Sequence, residues 1–104
     1  MSIESKAPGT DSDVRDIVLA AKLDLPGSEA LAETLRSHRG NDIAIDASEV
    51  THIGAHGVQT LLVGRATWAA DGRDWRVGPL SEAVEGGLST LGIDPEEIAG
   101  EAAQ

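Results

Sequence analysis

Along the chain, apolar positions fall into short unbroken runs and longer, spaced stripes. Ile17-Val18-Leu19-Ala20-Ala21 is a continuous apolar run, the pattern of a buried strand. Pro26-Gly27 marks a turn, and Ser28 is placed to N-cap a helix over Glu29–His38 that carries Leu31 and Leu35 on one face. Gly40-Asn41 ends that helix, and Ile43–Ile45 is a second short strand. Val58, Leu61, Leu62, Ala66 and Ala69 keep the helical period from about Gly57 to Ala70, where Asp71-Gly72 stops it; this spacing puts Leu61 and Leu62 on the buried face. Asp74–Gly78, around Trp75 and Val77, is a third strand. Ser81 caps a last helix with Val84, Leu88 and Leu91 on one side. Gly92 suits the C′ position, and Ile93 folds back on the last turn as in a Schellman motif.

The order is β-α-β-α-β-α, and strands separated by helices imply parallel pairing. The fold class expected is α/β, a small single-domain βαβαβα sandwich with a mainly parallel sheet packed by helices. Residues 14–94 make the folded unit, between a lead at 1–13 rich in Ser, Gly, Pro and Asp and an acidic tail at 95–104. Whether the helices cover one sheet face or both stays open. With Trp68 and Trp75 the only aromatics, the core is expected to be Leu, Ile, Val and Ala. Trp68 falls off the apolar stripe of its helix and reads as half exposed. Trp75 reads equally as an interface anchor or as a cover for the core edge.

The chain carries 18 acidic and 8 basic residues, a formal net charge of -10, and about half of that excess lies outside residues 14–94. Nucleic acid and anionic membranes both need a basic face, so neither is expected as a partner. A chain without cysteine has no disulfides and no thiolate metal site. There is no apolar run of membrane-spanning length and no apolar segment at the N-terminus, so the expectation is a cytoplasmic protein without membrane insertion.

The chemistry concentrates in Asp42–Leu62, a strand, a polar break, the turn Gly54-Ala55-His56-Gly57 and a helix. The turn lacks the Lys and the hydroxyl of a phosphate-cradling loop, which argues against a nucleotide enzyme. His52 and His56 are four apart, but Gly54 lies between them and His52 precedes the helix, so no metal site is expected. His56 at a helix start raises a second possibility. A neutral imidazole beside free N–H groups could carry phosphate or face a small anion. No carboxylate near the turn orients it, and a surface contact residue is the plainer reading. Asp24, Asp46 and Glu49 are expected to cap turns.

The order of elements and the segment Ile43–Leu62 resemble the STAS domain of anti-sigma factor antagonists and of the cytosolic ends of sulfate transporters. The resemblance rests on the strand Ile43-Ala44-Ile45-Asp46, the stretch through Ser48, Glu49 and Val50 to Ile53, and Gly57, Val58, Leu61 and Leu62. Asp71-Gly72 and the ending Leu88 to Gly92 extend it to roughly Ile17–Ile93. It implies a bacterial, cytoplasmic, non-enzymatic signalling module without a cofactor, a monomer or weak dimer. The chain resembles the shorter, divergent members sometimes encoded beside chemotaxis or lipid-transport components. The family's Asp-Ser-Ser/Thr is here Gly54-Ala55-His56, so His56 stands at the regulatory phosphoacceptor position and no hydroxyl lies between Thr51 and Thr60. The implied partner is a kinase-type, signalling or chemotaxis component. It is expected to meet Gly54, Ala55, His56, Gly57, Val58 and Gln59, with Asp24 from the adjacent loop. Two glycines allow close approach and a helix start offers N–H donors. The alternative is a histidine-dependent phosphocarrier, or a sensor of a small anionic ligand, using His56.

Overall fold

The computed structural model describes residues 14–99. The elements in chain order are β1 (Arg15–Val18), β2 (Lys22–Leu23), α1 (Leu25–Ser37), β3 (Ile43–Ala47), β4 (His52–Ile53), α2 (Ala55–Ala70), β5 (Trp75–Leu80), α3 (Glu82–Thr90) and α4 (Glu96–Ala99). The main sheet has the order β1-β3-β5 and is parallel throughout, as the alternation of strands and helices requires. β2 and β4 add a short parallel pair beside it, which the sequence did not announce.

Strand register explains which residues enter the core. Ile17 pairs with Ile45, and Ile45 with Val77; Ile43 pairs with Trp75. All five are buried, whereas the alternate positions Asp16, Val18 and Arg76 are exposed. The buried side is the helix side: a Cβ on Gly64 of α2 would lie 2.6 Å from the Trp75 ring and 3.1 Å from Leu35 of α1. The apolar run at Ile17 is therefore a half-buried strand. Ile17 and Leu19 point inward, Val18 is 62% exposed, and the strand ends before Ala20 and Ala21, both exposed. Carbonyls beyond it stay paired, with Thr51 and His52 both donating their N–H to Ala21 O.

Three helix boundaries and faces differ from the sequence reading. α1 starts four residues before Glu29 because Pro26 occupies its first turn, where a missing N–H is harmless. The cap is Asp24, whose Oδ1 accepts from Gly27 N at 3.0 Å; Ser28 is buried inside the helix. In α2 the inward stripe is Gly57, Val58, Leu61, Gly64 and Trp68. Leu62 is only half-buried, and Ala66 and Ala69 are exposed. Trp68 is 1% exposed, not half exposed, and its Nε1 donates to Asn41 O at 2.6 Å. At the end of α3, Leu91 is exposed and Ile93 takes its place against the core. The Schellman ending forms as expected: Ile93 N donates to Leu88 O, Gly92 N to Ser89 O, and Gly92 has φ +71°. Ser81 caps α3 through Val84 N.

The stretch from Pro95, expected as part of an acidic tail, holds α4 against the domain. Ile98 is fully buried, Trp75 Nε1 donates to Ile98 O at 2.7 Å, and Arg65 Nη1 reaches Glu97 O at 2.6 Å. The rest of that tail, and the expected lead at 1–13, lie outside the described residues. The two indoles pack tilted at 5.6 Å between centroids and so join the helix layer to the sheet.

Candidate functional site

Parallel strands with their helices on one side bring the starts of α1 and α2 to the same end of the sheet, beyond the strand C-termini. β2 leads into α1 and β4 into α2, and Lys22–Leu23 pairs with His52–Ile53, so the two helix entries are tied together. Gly54 N donates to Leu23 O at 3.2 Å and adds a further link. Asp24 and Gly54–His56, which the sequence places apart, are thereby neighbours on one surface.

The seven expected contact residues divide by burial. Ala55, His56, Gln59 and Asp24 are exposed, and Gly54 is half-buried. Val58 is 1% exposed and belongs to the core, so it offers a partner no side chain; this corrects its expected role. Gly57 is buried as well. A Cβ there would meet Ile53, Leu23 Cβ and Leu23 O at 2.9–3.0 Å, so this glycine lets α2 pack on β2 and gives no approach to a partner backbone. Its helical position was legible, but the side it faces was not.

At the helix start, Gly54 is the N-cap in extended conformation and supplies no side-chain hydrogen bond. The first intrahelical bond runs from Val58 N to Gly54 O, which leaves the N–H groups of Ala55, His56 and Gly57 ahead of it. Nothing lies within 4 Å of the place a Cβ on Gly54 would take. His56 occupies the second helical position, and among the described residues no side chain hydrogen-bonds its imidazole. The nearest hydroxyls are engaged with backbone: Thr60 Oγ1 donates to His56 O at 2.8 Å, and Thr51 Oγ1 to Ala21 O at 3.2 Å. Asp46 turns back on its own loop. Its Oδ1 accepts from Ser48 Oγ and Ser48 N, and these bonds hold its carboxyl below the usual carboxylate range. Asp46 thus caps its own turn, as expected, whereas Asp24 caps the helix α1. Among the described residues no group of three or more His, Cys, Asp or Glu could hold a metal.

From His56 a groove runs between α1 and α2, with a volume of about 400 Å³. His56 and Gln59 line one end with Leu25 and Glu29; Arg36 and Arg39 stand at the other. Its floor includes Leu35 and Trp68. Two large apolar side chains on its walls are open to solvent, Leu25 at 50% and Val63 at 58% exposed. Apolar side chains standing together in the open mark interaction surfaces. The sequence reading missed this groove because it placed Leu25 in a loop and assigned Val63 no face. The available signal was two large apolar residues outside the core periods. Neither tryptophan is available as an interface anchor, since Trp75 too is buried.

No helix among the described residues is long and apolar enough to cross a membrane. A search among curated proteins finds no match to this sequence. Residues 8–98 match a family model described as "Mlab, STAS domain". With nearly the whole chain matched and a parallel α/β sheet packed by helices, this protein belongs to the STAS domain family, a class of regulatory modules resembling anti-sigma factor antagonists that generally mediate protein–protein interactions.

Proposed function

We propose that this STAS domain is a non-enzymatic regulatory module that binds a kinase-type or signalling protein reversibly. The contact surface is the start of α2, with Gly54, Ala55, His56 and Gln59, together with Asp24 at the start of α1. The observation that carries the reading is the open apolar groove that begins at this surface, with Leu25 and Val63 exposed in it. A catalytic His56 would need a partner to orient it or take its proton, and none is found among the described residues. Binding here is not switched by phosphate on a hydroxyl, because His56 replaces the acceptor and both flanking threonines are turned onto backbone oxygens.

The test begins with a photo-cross-linkable residue at Gln59, used to capture the partner from a lysate of the native source. Titration calorimetry with that protein then compares wild type and His56→Glu. A carboxylate at His56 places charge where other family members place phosphate and should weaken the complex at least about tenfold, with an unchanged melting temperature. Arg76→Glu, on the opposite sheet face, should leave affinity unchanged. Equal affinity for wild type and His56→Glu would move the interface elsewhere. An acid-labile phosphate on His56 after incubation with the captured protein and ATP would replace binding by phosphotransfer.

A further inference from the structure

The groove carries more information than the presence of an interface. α1 and α2 run side by side in the same direction, since Leu35 approaches Gly64 and Arg39 forms its ion pair with Asp71 beyond both helix ends. The groove is therefore open along most of α1, whose 13 residues span ~20 Å at 1.5 Å each. Its two open apolar residues, Leu25 at the start of α1 and Val63 midway along α2, offer seats for the apolar stripe of a helix with anchors at i, i+3, i+4 and i+7.

Charge orients such an occupant. Two guanidinium groups line one end of the apolar groove, each already paired with one carboxylate, Arg36 with Glu33 and Arg39 with Asp71. Arg36 is exposed, with only its Nη2 engaged, by Glu33. Arg39 gives Nε and one Nη2 hydrogen to Asp71, which leaves further N–H donors for an incoming carboxylate. Glu29 is the acidic group in the groove lining, toward the other end. The C-terminal, electronegative ends of α1 and α2 also lie at the arginine end. A helix laid antiparallel to them brings its electropositive N-terminus there, and acidic residues favour the first turn of a helix.

Taking the groove to belong to the partner interface proposed above, we infer that it seats an amphipathic helix of the partner, antiparallel to α1 and α2, with an acidic first turn against Arg36 and Arg39. The apolar stripe of that helix covers Val63 and Leu25, and its C-terminal end lies near His56.

Fluorescence anisotropy with labelled helical peptides of about 14 residues, the length of the groove, tests this on the full chain. One peptide has leucines at the anchor spacing, glutamates in its first turn and lysines in its last. A twin exchanges the two charged ends, and a third replaces the leucines by serine. The first should bind wild type at least about tenfold tighter than its twin, and the serine peptide should not bind. Arg36→Glu should reverse the order of the charged pair. Val63→Asp should abolish binding of both while leaving the melting temperature close to wild type. Equal binding of the twins, no binding, or an order unmoved by Arg36→Glu overturns the inference. So does a wild-type dimer in sedimentation that Val63→Asp dissolves, since the groove would then seat a second copy. The cross-linked partner separates the two levels. If it binds Val63→Asp as wild type but loses affinity for His56→Glu, the groove is wrong and the surface stands. If neither variant affects it, both fall.

Discussion

Gly64→Ala, compared with Gly86→Ala, measures how tightly α2 sits on the sheet. Both glycines lie inside helices, so alanine should bring each about 0.5–1 kcal/mol of intrinsic helix stability. Around Gly86 nothing lies within 4 Å of the new methyl group, and that gain should appear in full. At Gly64 the methyl would stand 2.6 and 2.8 Å from two Trp75 ring atoms and 3.1 Å from Leu35 Cδ1. Carbon atoms pack best at about 3.5–4.0 Å, so something must move by nearly 1 Å. The indole is poorly placed to yield. It is buried, packs on Trp68, and is held through Nε1 by Ile98 O. Overpacking of this kind costs about 1–3 kcal/mol, which is the expected difference between the two variants. In a domain of this size that corresponds to a gap of about 4 °C or more in melting temperature. Thermal and urea melts followed by intrinsic fluorescence read it directly, because both tryptophans report on the core. If Gly64→Ala stabilises as much as Gly86→Ala, the close contact of α2 with Trp75 does not exist.

Leu61 is fully buried, so Leu61→Ala should destabilise by about 2–5 kcal/mol in denaturant melts. Half-buried Leu62 should give a clearly smaller loss; the reverse order would mean α2 is rotated. Gly54→Ser has room for its side chain and supplies the missing cap, so it should stabilise by a few tenths of a kcal/mol, with a decrease contradicting an open N-cap. A hydrogen bond from Arg39, partly offset by desolvation and aided least by the guanidinium charge, holds the Asp71 carboxyl below its usual range. The folded pKa is thus lower than the unfolded one. The stability this gives is present above the unfolded value and lost as pH falls through the folded one. Urea midpoints of wild type and Asp71→Asn should differ near neutral pH and converge in acid. A difference independent of pH would show that the pair carries no such linkage.

The βαβαβα order and the parallel sheet were legible because each strand run and helix stripe is separated by Gly, Pro or Asp punctuation. The capping of α3 was legible for the same reason, since Ser81 and Gly92 act through local backbone geometry alone. The inward face of α2 was not. Gly57 and Gly64 belong to the buried stripe by virtue of having no side chain, and a hydrophobic count passes over them. That shifted the expected face toward Leu62, Ala66 and Ala69 and turned Trp68 outward. The site showed the same division. That a helix follows this strand and turn was legible, although α2 begins at Ala55, two residues before the expected Gly57. That Leu25, Arg36 and Arg39 share a groove with His56 depends on the packing of α1 beside α2, which no local pattern encodes.

The docking of α4 also bears on the order in which the chain can become a domain. Ile98 is fully buried, and its carbonyl and that of Glu97 engage Trp75 and Arg65. During synthesis the sheet and α2 emerge with this corner of the core unfilled and an indole N–H without its acceptor. A nascent chain cut or stalled before Pro95 would hold nearly every element of the fold yet expose the apolar seat of Ile98. Completion of the domain is therefore tied to the last few described residues, and a C-terminal fusion has to preserve the register up to Ile98 for the two tryptophans to settle into their packed pair.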